Sequence, residues 1–281
     1  MTFINKMLVR GNDPDNNQID LESNAAGNLI PAIFELEVVK GNVEGHTIVD
    51  NYGRNPDVDT YSTPEDIWNG GSSFTGFPTG SAETMEIRSD NTDDTAAGTG
   101  ARTVTIYNLL DSTGAEMPNV TVTLLGTTWV SLGAQTYYRG GTRIDVKTAG
   151  TDGENQGTLK LRHTTTTSNI FAEMPPYMNQ TAVGAYTVPL GKTLYVNRVN
   201  FSMSRVNGSP GSANITLRAR IYGEVFQSKL APEITHAHDY NFADNSYLIF
   251  EARTDIKGRV ESVSDNNTIV TTDIGGVLVD D

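Results

Sequence analysis

The chain contains no cysteine. Disulfides and thiolate metal sites are therefore excluded, and the fold must be held by packing, hydrogen bonding or assembly. It also lacks any apolar run near the ~18 residues that a membrane helix needs. No segment of ten residues keeps a helical hydrophobic period, so little helix is expected. Positive charge is scarce: 20 Lys and Arg face 34 Asp and Glu, a formal net charge of −14. A nucleic-acid binder needs a surplus of cations to neutralise phosphates, and an anionic membrane surface asks for the same. Neither is expected as a partner. The acidic balance suits solubility and mutual repulsion of free copies.

What the sequence has is short alternation. Its 281 residues are only 37% hydrophobic, with a mean hydropathy of −0.34. Such values suit thin β-layers in which each strand gives half its side chains to water. The pattern predicts strands at Phe34–Val39, Thr84–Arg88, Thr103–Tyr107, Val120–Leu124, around Ile144 and Val146, and around Leu159 and Leu161. Asp111-Ser112-Thr113-Gly114, Gly140-Gly141 and Thr151–Asn155 supply turns between them. A break near 172–180, with Pro175-Pro176 and Asn179, precedes a second set. There Pro189-Leu190-Gly191 forms a turn, since proline presets its first position and glycine permits a positive φ. Ile215, Leu217, Ala219 and Ile221 then share one strand face opposite Thr216, Arg218, Arg220 and Tyr222. Later strands hold Leu248 and Phe250, then Val260 and Val263, and a turn at Asp265-Asn266-Asn267 leads to the last.

Strands at this spacing predict an all-β fold: two β-sandwich or jelly-roll-like domains with an extended N-terminal arm and a long irregular loop. The expected divisions are an arm at 1–31, a sandwich over 32–172 and a jelly-roll-like sandwich over 173–281. The loop is expected at 51–81, where Pro56, Pro64, Pro78 and five glycines crowd together. A loop of that length either lies on a neighbour or is pinned by an anchor, and Trp68 is the candidate anchor. No repeat of 20–50 residues marks a propeller or solenoid.

Sites of chemistry are sparse. His236 and His238 would project to one strand face and could hold zinc or nickel, but no HExxH motif or thiolate completes a site. Contact or loop histidines are the simpler reading. Asp13-x-Asp15-x-Asn17 opens like a calcium loop, yet Gln18 stands where glycine is needed and Asn24 where glutamate is needed. Ser89–Asp94 is another acidic turn. Gly98-Thr99-Gly100 lacks the third glycine of a dinucleotide fingerprint, and there is no nucleophile elbow or P-loop. Glu35 and Glu37 read as a solvated strand edge. No catalytic, cofactor-binding or metal-binding residue is assigned, and no cofactor is expected. Tyr137, Tyr138, Tyr177, Tyr186 and Tyr195 are the stacking candidates should the chain bind a glycan, although core or interface positions suit most of them.

Several blocks resemble virion structural proteins of tailed bacteriophages, especially marine and cyanobacterial ones. They are Asn55–Thr60 leading to Pro64–Gly71, Phe74-Thr75-Gly76-Phe77-Pro78-Thr79-Gly80, Ala96–Arg102, Arg162–Thr167, Tyr186-Thr187-Val188-Pro189 with Gly191-Lys192-Thr193, and Thr254–Lys257. The resemblance spans roughly residues 40–281, the span of the strand-rich segments. It implies β-rich folds and a place on the virion exterior, after synthesis in the host cytoplasm; the mixed N-terminus, Met1–Arg10, does not read as a signal peptide. It supplies no catalytic residue. The role it implies is capsid decoration or cement, as a homo-oligomer, most simply a trimer, bound to the major capsid protein or other virion proteins. The alternative is a tail, neck or fibre component with host-surface glycan binding. A depolymerase would need a β-helix repeat or a carboxylate cleft.

Overall fold

The computed structural model describes residues 9–12, 18–21, 34–60, 63–205, 211–241 and 247–281. The chain divides into two compact units, 1–47 and 48–281. The first holds β1 (Val9–Asn12), β2 (Gln18–Leu21) and α1 (Phe34–Val39). β1 and β2 form an antiparallel pair.

The segment Phe34–Val39 is helical, which corrects the strand expected there. Six residues are too few to separate a period of two from a helical one: Phe34 and Val38 stand four apart, as on one helix face. The stop signal decides it. Gly41 takes a φ of 75°, its N–H donates to the Val38 carbonyl, and Asn42 N–H reaches back to the Glu37 carbonyl. That is the left-handed C-terminal cap that glycine favours. Lys40 adds an ion pair to Glu37 at 2.7 Å.

Among the described residues, the regular elements of the second unit are all strands. Its elements are β3 (His46–Val58, which starts two residues before the unit), β4 (Glu65–Asp66), β5 (Met85–Arg88), β6 (Ala101–Tyr107), β7 (Val120–Thr123), β8 (Val130–Ser131), β9 (Arg143–Ala149), β10 (Leu159–His163) and β11 (Ile170–Met174). They continue with β12 (Ala185–Thr187), β13 (Lys192–Arg205), β14 (Ala213–Ile221), β15 (Gln227–Leu230), β16 (Glu233–Ile234), β17 (Ala237–Asn241), β18 (Leu248–Phe250), β19 (Thr254–Val263) and β20 (Thr268–Asp280). The irregular stretch expected from residue 51 begins later, because Asn51–Val58 belong to β3. Pro56 is tolerated there since β3 is the outer strand of its sheet, where a missing N–H breaks no ladder.

Two cores fill this unit. In the first, the sheet β11-β10-β5-β8 and the sheet β7-β6-β9 bury one cluster. Met85, Ile87, Leu159 and Leu161 come from one sheet, and Val104, Ile106 and Ile144 from the other. Alternation dictates this: in Leu159–His163 every second residue is buried. Trp68, Phe74 and Phe77 complete the cluster in edge-on contacts of 5.4 and 5.0 Å. Trp68, 3% exposed, thus pins its own loop to the first sandwich.

The second core lies between the sheet β12-β19-β14-β15, joined by β4 and β16, and the sheet β17-β13-β20-β3, joined by β18. β13 and β20 pair along almost their whole length, with a bulge between Val196 and Arg198. Gly276 sits beside that bulge, where an added Cβ would fall 2.3 Å from the Tyr195 carbonyl oxygen. Leu194, Val196, Phe201, Ile215, Leu217, Val260, Val270 and Ile274 fill the interior. At ~1.5–3 kcal/mol for each fully buried aliphatic side chain, these two clusters are the main favourable contribution to folding. Among the described residues, no helix is long and apolar enough to cross a membrane.

Candidate interaction surface

The polar residues that sequence analysis singled out are placed as follows. Asp94 is fully buried and saturated. Its Oδ1 accepts from the backbone N–H groups of Ala101 and Gln156, and its Oδ2 from Gly157 N–H and the Ser89 hydroxyl. Asp90 accepts from Thr158 N–H at 2.7 Å. The turn 89–94 therefore ties β5 to the segment before β10, with the Asp94 carboxylate fully engaged and that of Asp90 bound to Thr158 N–H. His236 is exposed between β16 and β17, and its carbonyl accepts from Met203 N–H. The side chain of His238, and all of Asp13, Asp15 and Asn17, lie outside the described residues. Among the described residues, no cluster of three or more His, Asp or Glu could hold a metal ion. Gly98 sits in a tight turn, its N–H donating to the Thr95 carbonyl.

The tyrosines scatter. Tyr137 and Tyr186 are buried, Tyr177 is exposed, and Tyr195 stands edge-on to Tyr247 at 6.2 Å. Tyr138 belongs to a charge network that sequence reasoning missed. Arg139 and Asp255, 1% and 0% exposed, join in a two-pronged ion pair of 2.9 and 3.1 Å. Asp255 also accepts from the Thr187 hydroxyl at 2.9 Å and from Arg220 Nε at 3.2 Å. The Arg139 guanidinium packs 4.1 Å from the Tyr138 ring centre and 4.6 Å from that of Tyr222, and donates to the Pro78 carbonyl. Burial pushes the Tyr222 phenol well above its ordinary range. This network joins the first-sandwich segment 137–139 to β14 and β19. With the Asp255 oxygens all occupied by donors, it is a clamp and offers no room for a reactant.

A second buried pair, Lys257 to Asp66 at 2.7 Å, holds β4 against β19. Burial lowers the Lys257 pKa despite the opposing pull of Asp66. Asp66 also accepts from Phe74 N–H, which fixes the loop that carries Trp68.

An accessible groove of about 440 Å³ lies on the second sandwich. It lies between two outer strands, β15 of one sheet and β18 of the other. Ile221, Val225 and Ile249 line it while 43%, 82% and 58% exposed. Its charged residues, Arg220, Glu224, Lys229 and Glu251, cancel. β15 protects its own edge with Gln227, Ser228 and Lys229, all exposed, as sheet edges commonly do. β18 presents Ile249 instead. Ile221 was expected to share a strand face with Ile215, Leu217 and Ala219; those three are buried, whereas Ile221, the last residue of β14, is exposed and becomes part of this surface.

No family model matches the chain. No curated protein matches it either. Among solved structures, that of infectious bursal disease virus, Gx strain, aligns over 84% of this chain and 73% of its own at 8% identity and a TM-score of 0.23. The Gt strain aligns over 88% and 78% at 10% identity and a TM-score of 0.19. Superpositions this loose do not define a shared fold.

Proposed function

We propose that this chain is a structural component of a virus particle, carried on the exterior of a tailed-phage virion, and that it works by presenting faces to protein neighbours and not by turning over a substrate. The leading form is capsid decoration: an oligomer, most simply a trimer, seated on the major capsid protein at junctions between capsomers. The observation that carries this reading is the groove at β15 and β18, where three exposed aliphatic side chains collect between the outer strands of two sheets. Sheet edges and clustered apolar side chains are what a protein partner covers. The phage-like blocks in the sequence support a virion setting. Removing Ile221, Val225 and Ile249 from water on docking supplies a gross gain of ~25 cal/mol per Å² of apolar area, much of it offset by ordering and rigid-body losses. The acidic surface keeps free copies apart until they dock.

The test is Val225→Asp with Ile249→Asp in the full chain, followed by quantitative protein counting on purified particles. Decoration predicts hundreds of copies per wild-type particle on the head, and loss of particle binding by a variant that still folds. A wild-type copy number of about 3 to 18, as cyclic tail symmetry requires, would move the chain to the tail, neck or fibre. Undiminished binding by the variant would remove the groove from the account.

A further inference from the structure

Trp129 is the less buried of the two tryptophans and lies beside β8, on the outer face of the first sandwich. Antiparallel register puts it there. Ile87 pairs with Val130 and Glu86 with Ser131, so Arg88 stands opposite Trp129. On the other side of β5, Arg88 pairs with Lys160 and Glu86 with Arg162. Met85, Ile87, Leu159 and Leu161 point inward, so alternation sends Glu86, Arg88, Lys160 and Arg162 outward. The guanidinium of Arg162 lies 3.7 Å from the indole centre and that of Arg88 4.6 Å.

The charges on this face are unequal. Arg162 is bound by Glu86 at 2.8 Å, and Lys160 by Glu173 at 2.6 Å. Arg88 makes no ion pair among the described residues, in a chain whose acids outnumber its bases 34 to 20. Asp90, next along this face, is bound to Thr158 N–H at 2.7 Å, so Arg88 is the cation here that no carboxylate engages among the described residues. Trp129 is partly exposed, with both guanidiniums against its ring; an indole is flat and apolar, and a guanidinium without a carboxylate offers paired N–H donors matched to one. A flat sheet face with both in contact fits a ligand that carries a carboxylate on a ring with an apolar side.

We propose that Arg88 and Trp129 form a binding site for a carboxylated sugar, a uronic-acid unit of an acidic polysaccharide, with Arg88 holding the carboxylate and Trp129 packing against the sugar ring. Arg162, stacked on the same indole and held by Glu86, positions Trp129. The site is separate from the groove at β15 and β18, so its success or failure does not depend on the virion reading.

The experiment titrates the full chain by calorimetry and tryptophan fluorescence with three probes: a hexamer of galacturonic acid, neutral maltohexaose, and an oligoglutamate peptide of equal charge. Trp68 is buried and gives a constant background. Saturable binding of the uronate hexamer, one per chain, is expected, with maltohexaose at least about tenfold weaker. Arg88→Ala and Trp129→Ala are each expected to weaken the uronate about tenfold or more, while Arg88→Lys and Trp129→Phe, which keep the charge and the ring, retain part of the affinity. Unchanged thermal melting confirms that the variants fold. The proposal fails if the wild type shows no saturable uronate binding, or if binding survives undiminished in both alanine variants. Equal affinity for oligoglutamate would overturn it in favour of an acidic protein partner.

Discussion

Two arginine–aromatic clusters, one sealed and one open, use the same residue types to different ends. Around Asp255, Arg139 and Arg220 meet Tyr138, Tyr222 and Phe77 in the interior, and each oxygen of the carboxylate takes two donors. Around Trp129, Arg88 and Arg162 stack on one indole, and of the two only Arg162 is paired with a carboxylate among the described residues. Burial explains the contrast. A charge withdrawn from water must find a full set of partners inside the protein, because an unpaired one costs several kcal/mol. A charge at the surface can leave its donors to water, and so remains available to a ligand. Completeness of pairing, more than residue type, thus distinguishes the buried clamp from the surface cluster.

The largest expected effect tests the sealed cluster. Asp255→Asn removes the charge that balances Arg139 and Arg220 while keeping the shape. The folded state should lose about 3–5 kcal/mol, the usual consequence of breaking a buried pair on one side. Chemical denaturation checks it. Replacing Arg139 with Met at the same time should recover part of the loss, because the stranded charge is gone. If Asp255→Asn alone unfolds no more easily than wild type, the network is not a clamp and the comparison collapses.

The intermediate effect is pH-dependent and concerns His163, which carries charge in neither cluster. It is fully buried, with Nε2 2.9 Å from the Tyr137 carbonyl and Nδ1 3.2 Å from the Asn169 amide, and burial lowers its pKa against the pull of that carbonyl and of Glu83. The unfolded chain therefore binds a proton at higher pH than the folded one. Below the ordinary histidine value of about 6.5, stability should fall as pH falls towards the lowered value, by at most ~1.4 kcal/mol per pH unit. It should level off once both states are protonated. His163→Gln, whose amide can still donate to the Tyr137 carbonyl, should remove that part of the slope. Denaturation series between pH 7 and 5 decide it; an unchanged slope in the variant would assign the acid sensitivity to other groups.

What the sequence made legible follows from how far each signal reaches. Two-residue alternation is local, and Leu159–His163, Met85–Arg88 and Ile215–Ala219 were readable as strands from it alone, as was the all-β class. Phe34–Val39 was misread because six alternating residues fit both periods, although Gly41 and the Glu37–Lys40 spacing carried the helical signal. Asn51–Val58 was hidden by Gly53 and Pro56, residues that interrupt most strands. Here Pro56 sits on an edge, and Gly53 meets the Gly184 backbone so closely that a Cβ would fall 2.3 Å from its Cα. The sites were not legible. Arg139 and Asp255 are 116 positions apart, and nothing near either announces the other. Trp129 gained its two arginines from β5 and β10 only through strand register, while the tyrosines singled out as stacking candidates are partly core, as Tyr137 and Tyr186 show.

The smallest expected effect is the sharpest test of the contrast. Arg88→Ala removes a guanidinium that contacts an aromatic ring at the surface and pairs with no carboxylate among the described residues. An exposed cation–π contact contributes about 0.5–1 kcal/mol, and Arg162 still covers the indole at 3.7 Å in the variant. The expected loss of stability is therefore no more than about 1 kcal/mol, several times smaller than for Asp255→Asn, and it should change little with salt because no ion pair is broken. Trp129→Ala should cost more than Arg88→Ala, since it also uncovers the stem of Arg162. Denaturation midpoints at low and high salt measure both. A loss at Arg88 as large as at Asp255 would mean that the open cluster holds the sandwich together. Its arginine would then be no freer to meet a ligand than the buried one is.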